Sequence, residues 1–138
     1  MRLRSGEKAG LIGNVPLFSS CTKRELAALA AEADELAVGA GTELTRQGSP
    51  GREFVVIVEG AAAVDRDGRT IAHLGAGDFV GEIALLTGGP RTATVTTTEP
   101  SRLLVLGARS FDRVAKRIPS VQSRLLTAVA ERLARETL

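Results

Sequence analysis

The run Gly81-Glu82-Ile83-Ala84-Leu85-Leu86-Thr87-Gly88-Gly89-Pro90-Arg91-Thr92-Ala93 sets a carboxylate, a stretch able to make one short helix, and an arginine around a space the size of a small anion. The first turn of a helix presents unpaired backbone N–H groups and a partial positive charge, which suit a phosphate. Arg91 can return from the following loop and complete the charge match. Glu82 would repel that phosphate unless it accepted hydrogen bonds from something neutral. The ligand described by these residues therefore carries one phosphate charge and a free sugar hydroxyl. A structural ion pair between Glu82 and Arg91, tying the ends of the segment together, is the competing reading. The glycine, small residues and helix start beside them favour a ligand.

Other chemistry is sparse. Gly75-Ala76-Gly77 with Gly81 imitates a dinucleotide-binding glycine pattern, but Gly88-Gly89-Pro90 stops the helix that should follow, and no strand-helix-strand unit surrounds it. His73, the only histidine, has no partner cysteines for a metal and is expected on a strand at the surface or the barrel rim. Cys21, the only cysteine, can form neither an internal disulfide nor a Cys–His nucleophile pair. It is expected to be a small packed side chain in a reduced, cytoplasmic protein. With no nucleophile–base pair, metal cluster or nucleoside triphosphate loop in view, the sequence points to binding and away from catalysis, and no cofactor or metal is expected.

The elements that must position the cassette follow from pattern. A chain of 138 residues with 43% hydrophobic content supports one core and is expected to be a single domain over 1–138. Its 18 basic and 16 acidic residues are interspersed and leave a net charge of +2, so no basic face and no nucleic-acid partner are implied. Arg2 and Arg4 are followed by a segment broken by Gly6, Glu7, Lys8, Gly10, Gly13 and Pro16, and neither a signal peptide nor a membrane span is supported.

From Thr22 to about Leu36, Leu26, Leu29, Ala30, Ala33 and Leu36 recur at helical spacing, and Thr22 with Glu25 forms a capping box. Between Val38 and Leu106 glycines punctuate β-rich runs at Glu43 to Arg46, Glu53 to Val58, Ala61 to Asp65, Thr70 to His73, Thr92 to Thr98 and Arg102 to Leu106. Many short strands at this spacing predict a sandwich or jelly-roll barrel, with Asp67-Gly68 as a hairpin turn. Ser110 is a candidate N-cap for a helix over Phe111 to Arg117, and Pro119 starts a last helix running to about Thr137. Along that helix Val121, Leu125, Val129, Leu133 and Thr137 form a stripe that suits packing on its own domain.

The cassette closely resembles the phosphate-binding cassette of cyclic-nucleotide-binding domains, the family of the catabolite activator protein and of the regulatory subunits of the cyclic-AMP-dependent kinase. That cassette reads G-E, a small and aliphatic helical turn, a few loop residues, then R, a small residue and A. Gly51-Arg52-Glu53-Phe54-Val55-Val56-Ile57-Val58-Glu59-Gly60 resembles the strand pair with a fixed glycine that precedes it. The resemblance covers roughly residues 12 to 137 and implies a mainly β fold: a jelly-roll-like β-roll over about 38–107, a helical part over about 12–37 before it, and two C-terminal helices over about 110–137.

It also implies roles. Glu82 would accept the ribose 2′-hydroxyl, Ile83 and Ala84 would donate backbone N–H groups to the cyclic phosphate behind Gly81, and Arg91 would pair with the exocyclic oxygens, with Thr92 and Ala93 beside them. Val56, Val64 and Leu74 are candidates to wall the base, Thr137 to meet it from the last helix, and Phe18, Phe54, Phe79, Phe111 or a partner to supply any aromatic cap, since the chain has no Trp or Tyr. The implied ligand is cyclic AMP, with cyclic GMP as the other choice. The implied activity is a cytoplasmic sensor or regulatory domain in signal transduction that couples binding to rearrangement of the C-terminal helix. Its implied partners are a homodimer twin along that helix, through Leu125, Val129 and Leu133, or an effector protein. Family members that control transcription continue into a helix-turn-helix segment, whereas this sequence stops at Leu138, so the effector is expected elsewhere. A ligand-independent interaction or dimerisation module keeping the same fold is the alternative.

Overall fold

In the computed structural model, which describes residues 3–51, 53–81 and 88–137, helices flank two antiparallel sheets. The helix α1 (Ser5–Gly13), a 3-10 turn (Pro16–Phe18) and α2 (Lys23–Glu32) come first. Among the described residues eight strands follow: β1 (Asp34–Val38), β2 (Glu43–Thr45), β3 (Glu53–Glu59), β4 (Ala62–Arg66), β5 (Arg69–Leu74), β6 (Phe79–Val80), β7 (Thr94–Thr97) and β8 (Ser101–Gly107). They end in α3 (Ala108–Ala115) and α4 (Pro119–Thr137). One four-stranded sheet has the order β1-β8-β3-β6 and the other β2-β7-β4-β5, a β-roll of the expected class.

The sequences of β3 and β8 explain the layering. Successive side chains of a strand point to opposite faces, so an unbroken apolar run means that both faces are covered. Val55 and Ile57 of β3 and Leu103 and Val105 of β8 fill the space between the sheets with Ala62, Val80 and Val95. Phe54, Val56, Leu104 and Leu106 face the other way, into a core shared with the helices through Ile12, Phe18, Leu29, Phe111, Val121 and Leu125. Phe54 is the hub of that core. Its ring lies 5.8 Å from Phe18, 5.5 Å from Phe79 and 5.1 Å from Phe111, so all four phenylalanines of the chain converge on one point. Edge-to-face and tilted pairs of this kind add to the area that they bury.

Several sequence expectations are met. The capping box is present, with Glu25 N–H donating to Thr22 Oγ1 at 3.1 Å and Thr22 N–H to Glu25 Oε1 at 2.8 Å. Asp67 and Gly68 both take positive φ, at 53° and 79°, which gives the twisted two-residue turn that a β4–β5 hairpin needs. His73 is exposed on β5. Cys21 packs against the helical core, and burial followed by the nearby Glu25 carboxylate raises its thiol pKa.

Others are corrected. The helix from Thr22 ends at Glu32, not Leu36, because Ala33 is extended and Asp34 to Val38 pair with Val105 to Ser101 of β8. The helical spacing of Leu36 is incidental; it is an exposed strand residue. A helix also forms earlier than expected, at Ser5–Gly13 despite its glycines, because burying Ile12 against the helical core outweighs their low propensity. Ser110 is not an N-cap: α3 has already begun at Ala108, and Ser110 Oγ donates to Glu32 Oε2 at 2.8 Å. The short strand β6 was not foreseen. Among the described residues no helix is long and apolar enough to cross a membrane.

Candidate functional site

The main chain of Arg91 is held by an extension of the β2–β7 ladder. Arg91 N–H donates to Ser49 O at 3.0 Å, and Gly48 N–H donates to Arg91 O at 2.8 Å. Thr45 Oγ1, buried beneath, donates to Ala93 O at 2.9 Å, and Gln47 N–H to Thr94 Oγ1 at 2.9 Å. From this anchored main chain the arginine side chain turns toward the first residue of β3.

There it enters a cradle of backbone. Arg91 Nη2 donates to the carbonyl of Glu53, at the start of β3, at 3.0 Å. The guanidinium lies against two glycines. A Cβ at Gly51 would meet Arg91 Nε at 2.4 Å, and one at Gly81 would meet Arg91 Nη1 at 2.8 Å and Glu53 O at 2.2 Å. Gly81 also has φ of 104°, in the region that L side chains avoid. Arg91 is thereby only 7% exposed, although a guanidinium is among the groups least willing to leave water. A cleft of about 280 Å³ borders it on the β2 side, with Glu43, Arg46, Ser49, Pro50, Gly51 and Glu53 in its wall.

Of the residues that the sequence singles out, Gly81 adjoins the Arg91 guanidinium, and Ala93 is buried. Thr92 is half-buried, and its carbonyl accepts from Arg66 Nε at 3.0 Å. Glu82, Ile83 and Ala84, where the sequence predicts a short helix, lie outside the described residues. Val64 and Leu74 pack against the inter-sheet core, Val64 opposite Val95 of β7. Val56 does not: it faces the helical core, because its neighbours Val55 and Ile57 take the inward positions.

The four phenylalanines are not placed as a base cap, since three are buried and Phe79 packs on the same cluster. Thr137 ends α4, which docks on the 3-10 turn and α3, whereas Val64 belongs to the β2-β7-β4-β5 sheet; Thr137's side chain lies outside the described residues. Val121, Leu125 and Val129 of the α4 stripe are buried within the chain, so the pairing face expected from Leu125 and Val129 is taken up internally.

Two site features escaped the sequence reading. Glu53 contributes its carbonyl, which any residue type could supply, and Gly51 contributes the lack of a side chain toward an arginine far along the chain. Gly51 does stand in the glycine-headed signature before β3, and that was the one available signal.

Comparison with known proteins bears on this geometry. The profile of the cyclic nucleotide-binding domain matches residues 35–118, more than half of the chain. A cyclic nucleotide-gated potassium channel of Rhizobium etli is 33% identical over 122 residues, which is 88% of this chain and 34% of the channel. The regulatory domain of Toxoplasma gondii PKA, solved with cAMP, superimposes with a TM-score of 0.83 at 26% identity, covering 93% of this chain and 50% of that one. The catabolite activator protein of Thermus thermophilus gives 0.77 at 28% identity, covering 88% and 59%. The chain thus spans only part of each of these relatives. A two-sheet roll around a buried cassette arginine, matched by the profile over both sheets, places the chain in the cyclic nucleotide-binding domain family.

Proposed function

We propose that the chain is a regulatory sensor of a 3′,5′-cyclic nucleotide, cyclic AMP in preference to cyclic GMP. The observation that carries this is the burial of Arg91 between Gly51, Gly81 and the Glu53 carbonyl. A guanidinium fixed in this way is organised in advance for an anion, and that lowers the ordering cost of binding. The cAMP-bound Toxoplasma relative supports the choice of ligand. In this reading Arg91 pairs with the exocyclic phosphate oxygens, Ile83 and Ala84 donate backbone N–H groups to the phosphate, and Glu82 accepts the ribose 2′-hydroxyl. Thr92 and Ala93 border the phosphate, Val64 walls the base, and Thr137 approaches it when α4 rearranges. The output is that rearrangement, passed to an effector or a twin subunit, and the chain acts by binding without catalysing a reaction.

Calorimetry with cyclic AMP, cyclic GMP and 5′-AMP tests it. Cyclic AMP should bind with Kd of about micromolar, near −8 kcal/mol. Arg91→Ala removes a charge-assisted pair worth about 1.5–3 kcal/mol and should weaken binding about tenfold or more. Unchanged affinity in a folded Arg91→Ala protein would sink the phosphate assignment. Failure of the folded, unmodified chain to bind any cyclic nucleotide would leave the ligand-independent module as the reading.

A further inference from the structure

We infer that Gly51 is a positioning residue for Arg91: its missing side chain is the space in which the guanidinium is held. This rests on the reading of Arg91 as the phosphate partner, but its geometry stands without a nucleotide. The three atoms nearest to a Cβ built on Gly51 all belong to the Arg91 side chain: Nε at 2.4 Å, Cζ at 3.0 Å and Nη2 at 3.0 Å. Carbon and nitrogen do not approach at 2.4 Å without a bond, so an alanine here must push the guanidinium away. The displaced group would leave the Glu53 carbonyl, which it meets through Nη2 at 3.0 Å.

Gly51 differs from Gly81 in the way that makes it informative. At Gly81 a side chain would strike the Glu53 backbone at 2.2 Å and require a left-handed φ, so any substitution there strains the chain itself. The backbone at Gly51 is not left-handed, and the three atoms that a Cβ there would meet first beyond its chain neighbours are all side-chain atoms of Arg91. Gly51→Ala is therefore a methyl-sized wedge aimed at one side chain. Arg91 approaches it from the loop before β7, with its main chain tied to Gly48 and Ser49 only a few residues before Gly51. The segment 48–51 thus holds Arg91 at both ends, its main chain by hydrogen bonds and its guanidinium by steric fit.

The first arm of the test needs no nucleotide. In 15N-labelled protein the Arg91 Nε–H resonance, assigned by its loss in Arg91→Lys, should exchange slowly with water and should shift and exchange at least about tenfold faster in Gly51→Ala. The second arm is a double-mutant cycle on cyclic AMP affinity. Gly51→Ala should weaken binding about tenfold or more in the unmodified background and change it less than about twofold in the Arg91→Ala background. An unaltered Nε–H resonance, or equal weakening in both backgrounds, overturns the inference. If Gly51→Ala does not fold, the double variant Gly51→Ala/Arg91→Ala decides. Folding of the double variant shows that the clash is with that side chain, and its failure to fold overturns the inference. Should the unmodified chain bind no cyclic nucleotide, the proposed function fails and the first arm alone still decides the role of Gly51.

Discussion

Arg91 donates through Nη2 to the main-chain carbonyl of Glu53 at 3.0 Å, across 38 positions of sequence. The bond joins the loop before β7, in one sheet, to the first residue of β3 in the other. The residue after Glu53 is Phe54, whose ring gathers Phe18, Phe79 and Phe111. The candidate anion site therefore rests on the strand that also centres the helical core.

Phe54→Ala should be severe. Phe54 is fully buried and touches the three other rings, and removing a buried phenylalanine costs about 3–5 kcal/mol. Urea unfolding followed by circular dichroism reads this as a lower midpoint. Phe79→Ala, at a half-buried ring of the same cluster, should cost less. A larger loss at Phe79 would mean that Phe54 is not the hub.

The role proposed for Glu82 predicts discrimination by a single hydroxyl. Without the 2′-hydroxyl the carboxylate near the phosphate loses its donor, so 2′-deoxy cyclic AMP should bind more weakly than cyclic AMP by about 1–3 kcal/mol. Equal affinities in competition calorimetry would assign Glu82 to holding the cassette instead.

Ligand-linked change in α4 should be confined to its C-terminal half. Val121, Leu125 and Val129 are buried, and Arg124 Nη1 donates to Pro16 O and to Ser19 Oγ, each at 2.8 Å, which pins the first turns. Hydrogen exchange should show residues 119–129 protected with or without cyclic AMP, and 130–137 gaining protection on binding, equivalent to about 1–3 kcal/mol. A change spread evenly along the helix, or none, would contradict the division.

Acid should expose the contribution of Glu35. Leu3 N–H donates to Glu35 Oε2 at 2.9 Å, and this bond, then the Arg102 guanidinium, holds the carboxyl below its ordinary value of 4.5. A depressed native pKa means that the unfolded chain binds the proton first as pH falls. The stabilisation is thus complete above the ordinary value and disappears as pH drops through the lower native one. Urea midpoints of the unmodified protein and Glu35→Gln, measured from about pH 7 to about pH 3, should differ most at the neutral end and converge toward the acid end. A gap that stayed constant with pH would remove the carboxylate from the account.

Sequence alone determined what depends on local pattern and composition. The capping box at Thr22 and Glu25 reads directly because its partners are three residues apart. Asp67-Gly68 reads as a hairpin because few residues tolerate its backbone, and the apolar runs in β3 and β8 mark strands whatever covers them. The run from Gly81 to Ala93 could be read as a phosphate cassette for the same reason, because its glycines, carboxylate and arginine fall within one short segment.

Tertiary structure decided the rest. Leu36 has helical spacing but lies in β1, because pairing with β8 offers that segment a full ladder of hydrogen bonds. Val56 fits a barrel wall but faces the helices, because the pleat gives the inward positions to Val55 and Ile57. Ser110 has the chemistry of a cap and bonds Glu32 instead. Gly51, Glu53 and Arg91 form one cradle through a carbonyl, a missing Cβ and a buried guanidinium. Neither a carbonyl nor an empty space leaves a mark in residue type, so contacts made of them become visible only once the chain has brought distant segments together.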